Sequence, residues 1–365
     1  MQYRNFGRTG KKLSVITLGG MRYLHGWDEP RDELPPDSLA NCYEITKKAF
    51  SLGINHIETA HGYKKSEGLY GRTLAQLDKP RSDYYLMTKG NAPDYDAMMR
   101  VLESQLKTLQ TDYFDFYGYH GLNNRDIFNN TMSANGPWKA IAGLRDQGVI
   151  KHAGFSGHGP LDVLLDAVAT DEFEFMNLHY FYFFQRNYPA VAAAGLKGMG
   201  ILIISALEKG GLLFDPPEKL KKLTSPLTPV QFNGRFCLSH PEITTLSLGI
   251  HEDKHFSPAM SILDDKPYIN KDYLQIKARV DSAAAAAGDD FCDYCSRCLP
   301  CPQGINIPET LRMLNMDTGW GMRKFGTFRY NMFQPDQSWF PGQFADHCND
   351  CGECLPRCHL QLDIP

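Results

Sequence analysis

Short apolar runs alternate with amphipathic stretches from residue 13 to about residue 260. The apolar runs have strand length and predict β-strands at Ser14–Leu18, Ile54–Glu58, Tyr84–Thr88, Phe114–Tyr119, His152–Ser156, Phe175–Leu178, Ile201–Ser205 and Thr245–Gly249. Apolar positions spaced by three and four predict helices between them, at Ala40–Leu52, Glu67–Leu77, Asp94–Leu109, Trp138–Gln147, Leu161–Ala169, Tyr188–Leu196 and, on a weaker pattern, Pro229–Ser239. Strands buried on both faces read as continuous apolar runs, and Ile201–Ile204 is one. Eight strand–helix units over roughly 250 residues predict a (β/α)8 TIM barrel. A doubly wound sheet is the rival, but no G-x-G-x-x-G follows the first strand.

The alternation fades after Ser257–Leu263. A helical stretch, Asp272–Ala287, then runs through an alanine tract into Gly288-Asp289-Asp290. A boundary near residue 275 separates the barrel, residues 1–275, from a smaller domain, residues 276–365.

The chain has 365 residues, 42% hydrophobic and 22% charged, which is a globular balance. A net charge of −4 offers no electrostatic case for nucleic acid or an anionic membrane. Met199–Leu207, the longest strongly apolar stretch, falls short of the roughly 20 residues of a membrane helix. The opening MQYRNFGRTGKKLSV has no apolar core behind its positive charges, so a reducing cytoplasmic setting is expected. There, clustered cysteines serve as metal ligands or redox groups more often than as disulfides.

Eight of the ten cysteines lie between Cys292 and Cys358. One run is Cys292, Cys295, Cys298 and Cys301, followed by Pro302; the other is Cys348, Cys351, Cys354 and Cys358. The first three pairs are offset by 56 residues and the last by 57, and each run has a proline seven residues after its last cysteine, Pro308 and Pro365. This is an internal duplication with a one-residue slip. Cysteines in three-residue steps let one loop wrap an iron–sulfur cubane, with the fourth thiolate coming from elsewhere. Two Zn(Cys)4 sites are the alternative, although zinc favours two C-x-x-C pairs on a longer loop. Disulfides are a third. Cys42 and Cys237 fall in helical patterns and are expected to be buried apolar residues.

The segment resembles the bacterial two-cluster ferredoxins, in which the last cysteine of each run ligates the other cluster. The resemblance implies two [4Fe–4S] clusters, one on Cys292, Cys295, Cys298 and Cys358, the other on Cys348, Cys351, Cys354 and Cys301. The first run is one residue short of the usual spacing, and His359 stands where the second proline would be. The longer insert between the runs, with a helical pattern at Glu309–Leu314, points to a small, mainly helical cluster domain.

Glu58, Tyr63, Lys89 and His120 all fall at or just beyond predicted C-terminal strand ends, which form the active-site face of a barrel. Carbonyl reduction needs a proton donor beside the carbonyl oxygen. A tyrosine serves when a cation assists it, a carboxylate holds the cation and a histidine orients the oxygen. With Tyr3-Arg4-x-x-Gly7-Arg8-Thr9-Gly10, Leu18-Gly19-Gly20, Gly154-Phe155-Ser156-Gly157-His158 and Gly198-Met199-Gly200, the pattern over residues 1–255 resembles the aldo-keto reductase family. The whole chain resembles its branch with a C-terminal ferredoxin-like segment.

That resemblance implies a Tyr63, Lys89, His120 and Glu58 tetrad, a small-molecule carbonyl substrate and NADP(H) held around Gly20, Met21, Ser156, Asn177, Ser205 and Lys254. Glu58 replaces the family's aspartate, Gly157 its asparagine and Asn177 its glutamine. No aromatic residue stands near Ile204–Ala206, and Gly249–His255 shows no clear phosphate clamp. His61 and His158 read as surface-loop residues, Lys64-Lys65 as a solvated loop and Tyr180–Phe184 as core.

The first functional reading is an oxidoreductase whose clusters exchange electrons with ferredoxin or another redox protein. Hydride carries two electrons and a cluster passes one, so coupling calls for a splitter such as a flavin. The second reading is an electron-transfer or interaction protein on a catalytically weakened barrel. The third makes the clusters structural staples.

Overall fold

The computed structural model describes residues 1–23, 30–208, 211–263, 267–286, 288 and 291–365. The chain divides into two compact units: Met1–Gly211 with Asn233–Asp265, and Leu212–Phe232 with Lys266–Pro365.

The first unit is a closed barrel of eight parallel strands behind a short hairpin. The hairpin pairs β1 (Tyr3–Asn5) with β2 (Lys12–Ser14), Tyr3 opposite Ser14. The barrel strands are β3 (Ile16–Gly19), β4 (His56–Glu58), β5 (Tyr85–Gly90), β6 (Phe114–His120), β7 (Ile150–Gly157), β8 (Phe175–Leu178), β9 (Gly200–Ile203) and β10 (Thr245–Leu248). They run in chain order around the barrel, and β10 closes on β3. Ser14, expected to open the first barrel strand, instead ends the hairpin. Its backbone N–H is taken by Asn55 Oδ1 at 2.8 Å.

The hairpin carries Phe6 into the barrel interior, where it packs with Leu13, Met87, Phe116, Phe175 and Leu202. Its ring meets Phe116 edge-on at 4.9 Å. Full burial of one such ring is worth about 1.5–3 kcal/mol.

The outer helices follow their apolar stripes. In Tyr95–Leu109 the buried positions are Met98, Leu102, Gln105 and Leu109, spaced by four, three and four. The Asp94 side chain caps its start on Ala97 N, and Gln110 ends it in the left-handed region. The helix Arg125–Thr131 had no apolar pattern to announce it; the Asn124 side chain caps it on Ile127 N.

Inside the barrel, His56 Nδ1 lies 2.8 Å from Thr17 Oγ1, and its Nε2 has no hydrogen-bond partner among the described residues. Burial, and then the charge of Lys89, push this imidazole from 6.5 down to about 3. The folded protein therefore keeps His56 neutral where the unfolded chain takes up a proton. Stability is full above about pH 6.5 and falls as pH drops toward 3, by at most about 1.4 kcal/mol per pH unit. His56→Gln is expected to lose about 2 kcal/mol less stability than the parent between pH 7 and pH 5. Urea midpoints at the two pH values check this; equal losses would remove His56 as the cause.

In the second unit, the helix Lys271–Ala285 belongs with the segment Leu212–Phe232 rather than with the barrel. Tyr273 stacks on Phe232 at 5.1 Å and 14°, and Arg279 Nε donates to the Leu223 carbonyl at 3.2 Å. Ala287, Asp289 and Asp290, where that helix and its exit were expected to end, lie outside the described residues. Between the cysteine runs the expected helix at Glu309–Leu314 is longer, Ile307–Trp320, and a second helix, Arg323–Tyr330, follows it. Among the described residues, no helix is long and apolar enough to cross a membrane.

Candidate functional site

The barrel brings the scattered residues to one end. Glu58 is the last residue of β4, Lys89 the penultimate residue of β5 and His120 the last of β6; Tyr63 closes the turn His61–Tyr63 just beyond β4. Parallel strands feeding outer helices put every C-terminal strand end on the same face.

Glu58 is the hub. Its Oε1 accepts the Tyr63 hydroxyl at 3.3 Å and pairs with Lys89 Nζ, while its Oε2 accepts Ser247 Oγ at 2.8 Å. Lys89 Nζ also donates to the Thr59 carbonyl at 2.9 Å and lies 4.8 Å from the Tyr63 ring centre. Glu58 and Lys89 are both buried. His120 meets the Tyr63 ring edge-on at 5.7 Å and 82°. Glutamate in place of aspartate thus still reaches the lysine, and its added length lets one oxygen serve tyrosine and lysine while the other takes Ser247.

Burial pushes the Tyr63 phenol well above its usual value of 10, against the pull of the Arg22 guanidinium. Burial likewise draws Lys89 well below the usual lysine range. Tyr63 therefore holds its proton more tightly than a free phenol, and Arg22 is the cation that opposes this. Sequence reasoning missed Arg22 and Ser247. The polar Ser247 within the apolar run Leu246–Leu248 was the one available signal for the latter.

Ser156 on β7 and Asn177 on β8 are register partners and fully buried. Ser156 Oγ and Asn177 Oδ1 have no hydrogen-bond partner among the described residues, while Asn177 Nδ2 donates to Met87 Sδ at 3.2 Å. Two neighbouring buried polar atoms without partners suit an amide-bearing ligand. Gly157 is closely packed: a Cβ there would sit 2.6 Å from Leu164 Cδ2, which would have to shift, and 3.2 Å from the Leu122 carbonyl oxygen.

The remaining expected cofactor residues are less convergent. Gly20 lies in the turn Gly20–Arg22 after β3, where a Cβ would strike Tyr70 Cε2 at 2.4 Å, so packing alone requires glycine. Met21 beside it and Ser205 beyond β9 are half-buried. Lys254 is exposed and pairs with Glu252 Oε2 at 2.7 Å. Lys65, expected in a solvated loop, is buried with its ammonium on the Glu33 carbonyl. His61 is half-buried between Arg31 and Glu67, and Tyr180–Phe184 is buried throughout.

In the second unit none of the cysteines forms a disulfide, and outside it Cys42 and Cys237 are buried, as expected. A cavity of about 110 Å³ is lined by Cys298, Cys301, Cys348, Cys351 and Cys354. Around Cys354 gather Cys348, Cys351 and Cys301, and around Cys292 gather Cys295 and Cys358. Cys298 neighbours Cys292, Cys295 and Cys354. Burial, with these neighbours adding to it, pushes Cys292 up to about 11 and Cys298 up to about 12. Such a crowd of thiols suits soft metal ions, whose charge favours the thiolate. His359 Nδ1 lies 3.6 Å from Cys295 Sγ, and its Nε2 pairs with Asp293 Oδ2 at 2.9 Å.

Residues 15–235 match the sequence model of the Aldo/keto reductase family. An aldo-keto reductase of Mycobacterium sp. (strain KMS) is 32% identical over 140 residues, 37% of this chain and 47% of that protein, so the chain matches about half the length of that relative. The L-galactose dehydrogenase of Arabidopsis thaliana is 28% identical over 232 residues, 60% of this chain and 69% of that protein. The solved structure of an aldo-keto reductase from Bacillus halodurans, in its holo form, superposes with a TM-score of 0.62 at 20% identity, covering 76% of this chain and 96% of that one. This last likeness concerns the fold.

Proposed function

The chain belongs to the aldo/keto reductase family, and from that premise we propose that it is an oxidoreductase reducing the carbonyl of a small molecule, with NADP(H) as cofactor and Tyr63 as proton donor. The observation that carries this reading is the half-buried Tyr63 set on the buried Glu58–Lys89 pair, with the phenol 3.3 Å from Glu58 Oε1 and His120 at its ring. Ser156 Oγ and Asn177 Oδ1 fit the nicotinamide carboxamide, whose dihydro form supplies the hydride when bound.

The residues divide the remaining work. Tyr63 donates its proton to the carbonyl oxygen as negative charge develops there. His120, at the edge of the Tyr63 ring, orients that oxygen. The paired charges of Glu58 and Lys89 lock the phenol in position, and Ser247 and the Thr59 carbonyl keep the pair from turning away. Such positioned proton transfer contributes about 10²–10⁴-fold to rate.

In the second unit the cysteines hold two [4Fe–4S] clusters, one on Cys292, Cys295, Cys298 and Cys358 and the other on Cys348, Cys351, Cys354 and Cys301. The support is their spacing and the gathering of Cys354 with Cys348, Cys351 and Cys301. The clusters supply one-electron chemistry, and a ferredoxin or similar redox protein is the matching partner. A flavin is the group that would join one-electron to hydride chemistry.

The test is anaerobic absorption of the purified chain with and without NADPH, together with turnover of a carbonyl panel. A broad band near roughly 400 nm marks thiolate-bound clusters, and its bleaching by NADPH joins the two chemistries. Failure both to bind NADPH and to reduce any carbonyl sinks the reductase reading; stoichiometric zinc without the band sinks the clusters. Ser156→Ala and Asn177→Ala are each expected to weaken NADPH binding about five- to tenfold, the worth of one hydrogen bond. Fluorescence titration reads this, and unchanged affinity in both removes them from the cofactor site.

A further inference from the structure

The loop after β10 holds a second cluster of ligating side chains, independent of the tetrad and of the cysteines. His251, Glu252 and His255 present one ligand atom each, all within 4.8 Å of one another. Glu252 Oε1 lies 3.7 Å from His251 Nε2 and 3.6 Å from His255 Nε2. A tetrahedral zinc site with bonds of about 2.0–2.2 Å has ligand–ligand edges of about 3.3–3.5 Å, so both separations are already close to an edge. The two imidazoles meet edge-on, with ring centres 4.7 Å apart and planes at 67°, and their ligand nitrogens lie within 4.8 Å of each other.

The surroundings orient these atoms. His251 Nδ1 is 3.1 Å from the Gly249 carbonyl oxygen, which can only accept, so this nitrogen carries the proton and Nε2 keeps its lone pair. A ligating histidine commonly gives its other N–H to a backbone carbonyl in this way. Asn41 Nδ2 braces the His251 carbonyl at 2.8 Å. Lys254 occupies Glu252 Oε2 at 2.7 Å and leaves Oε1 turned to the histidines. His255 is buried, whereas Glu252 is 45% exposed, so an ion has a fixed base and an open approach.

The geometry points to a Zn²⁺ site formed by His251 Nε2, Glu252 Oε1 and His255 Nε2, with the fourth position open to water or an anionic oxygen. Two imidazoles and one carboxylate suit zinc and its borderline neighbours rather than calcium or magnesium. Two histidines with one carboxylate and an open position is a recurrent zinc ligand set. The loop lies at the end of the barrel where phosphate sites of such folds are found, so a phosphate oxygen is a natural fourth ligand.

The test is zinc titration of the full-length protein, cysteine segment intact, read by X-ray absorption at the zinc edge. Sulfur-bound zinc shows a shell near about 2.3 Å and nitrogen- or oxygen-bound zinc one near about 2.0–2.1 Å, so binding at the cysteines is separated from binding here. One equivalent with a nitrogen/oxygen shell is expected in the parent. It should be lost in His251→Ala/His255→Ala and weakened at least tenfold in His251→Ala alone, which leaves the buried His255 in place should the double variant fail to fold. Inorganic phosphate should shift the edge spectrum of bound zinc. A sulfur-only shell in the parent, or a nitrogen/oxygen equivalent retained at parental affinity in His251→Ala, overturns the assignment.

Discussion

Tyr63→Phe is expected to lower kcat/KM for carbonyl reduction by about 10²–10⁴-fold while leaving NADPH affinity within about twofold. The substitution removes one hydroxyl from a site where it donates to Glu58 Oε1 at 3.3 Å. Glu58 keeps Lys89 and Ser247, so neither buried charge is stranded. Substituting Lys89 is a poorer probe: it leaves Glu58 as an unpaired buried carboxylate, a defect that costs about 3–5 kcal/mol of stability. The phenol lies well above its usual value of 10 because it is buried. Its proton is therefore in place throughout the neutral range, and reduction should be level from about pH 6 to pH 9. Alcohol oxidation, which needs the phenolate, should climb across the same range. Steady-state kinetics in both directions read these outcomes; a Tyr63→Phe protein that keeps half of its activity would falsify the proton-donor role.

Cys301→Ser is expected to remove the cluster held by the other run, that of Cys348, Cys351 and Cys354. Iron content should fall from about eight to about four per chain. Cys354 gathers with Cys301 as well as with its own run, and Cys292 gathers with Cys358. Under the proposed assignment the two segments would exchange their last ligands, which would tie the halves of the duplication together. Double substitution separates this arrangement from a simpler one. Cys301→Ser with Cys348→Ser strikes one cluster twice and should retain about four irons, whereas Cys301→Ser with Cys292→Ser strikes both and should retain none. If the first pair loses all iron and the second keeps four, each run ligates its own cluster and the exchange is wrong.

The barrel was legible because its strands are buried on both faces. Phe175–Leu178 has the same bounds in sequence and structure, and Ile201–Ser205 differs only at its ends. The hairpin was not: Tyr3–Asn5 and Lys12–Ser14 are three-residue strands with mixed burial, stabilised by carrying Phe6 into the barrel rather than by any pattern of their own. The helix Glu218–Thr224 was missed for a related reason. Only Leu220 and Thr224 are buried in it, too few positions to set a period.

By sequence alone, this chain is a (β/α)8 barrel with chemistry-bearing residues at its strand ends, joined to a duplicated eight-cysteine segment. Those features are local: apolar runs record burial, and three-residue steps set the cysteines close together along one loop. The sequence also places Glu58, Tyr63, Lys89 and His120 on one face, because parallel strands share a direction. Tertiary structure alone decided that Glu58 joins Tyr63, Lys89 and Ser247, that the charge of Arg22 acts on the phenol, and that Leu164 packs closely beside Gly157. It also decided which cysteines gather across the duplication. Each of these depends on distances between segments far apart in the chain, and those are set by barrel closure and helix packing rather than by the residues on either side.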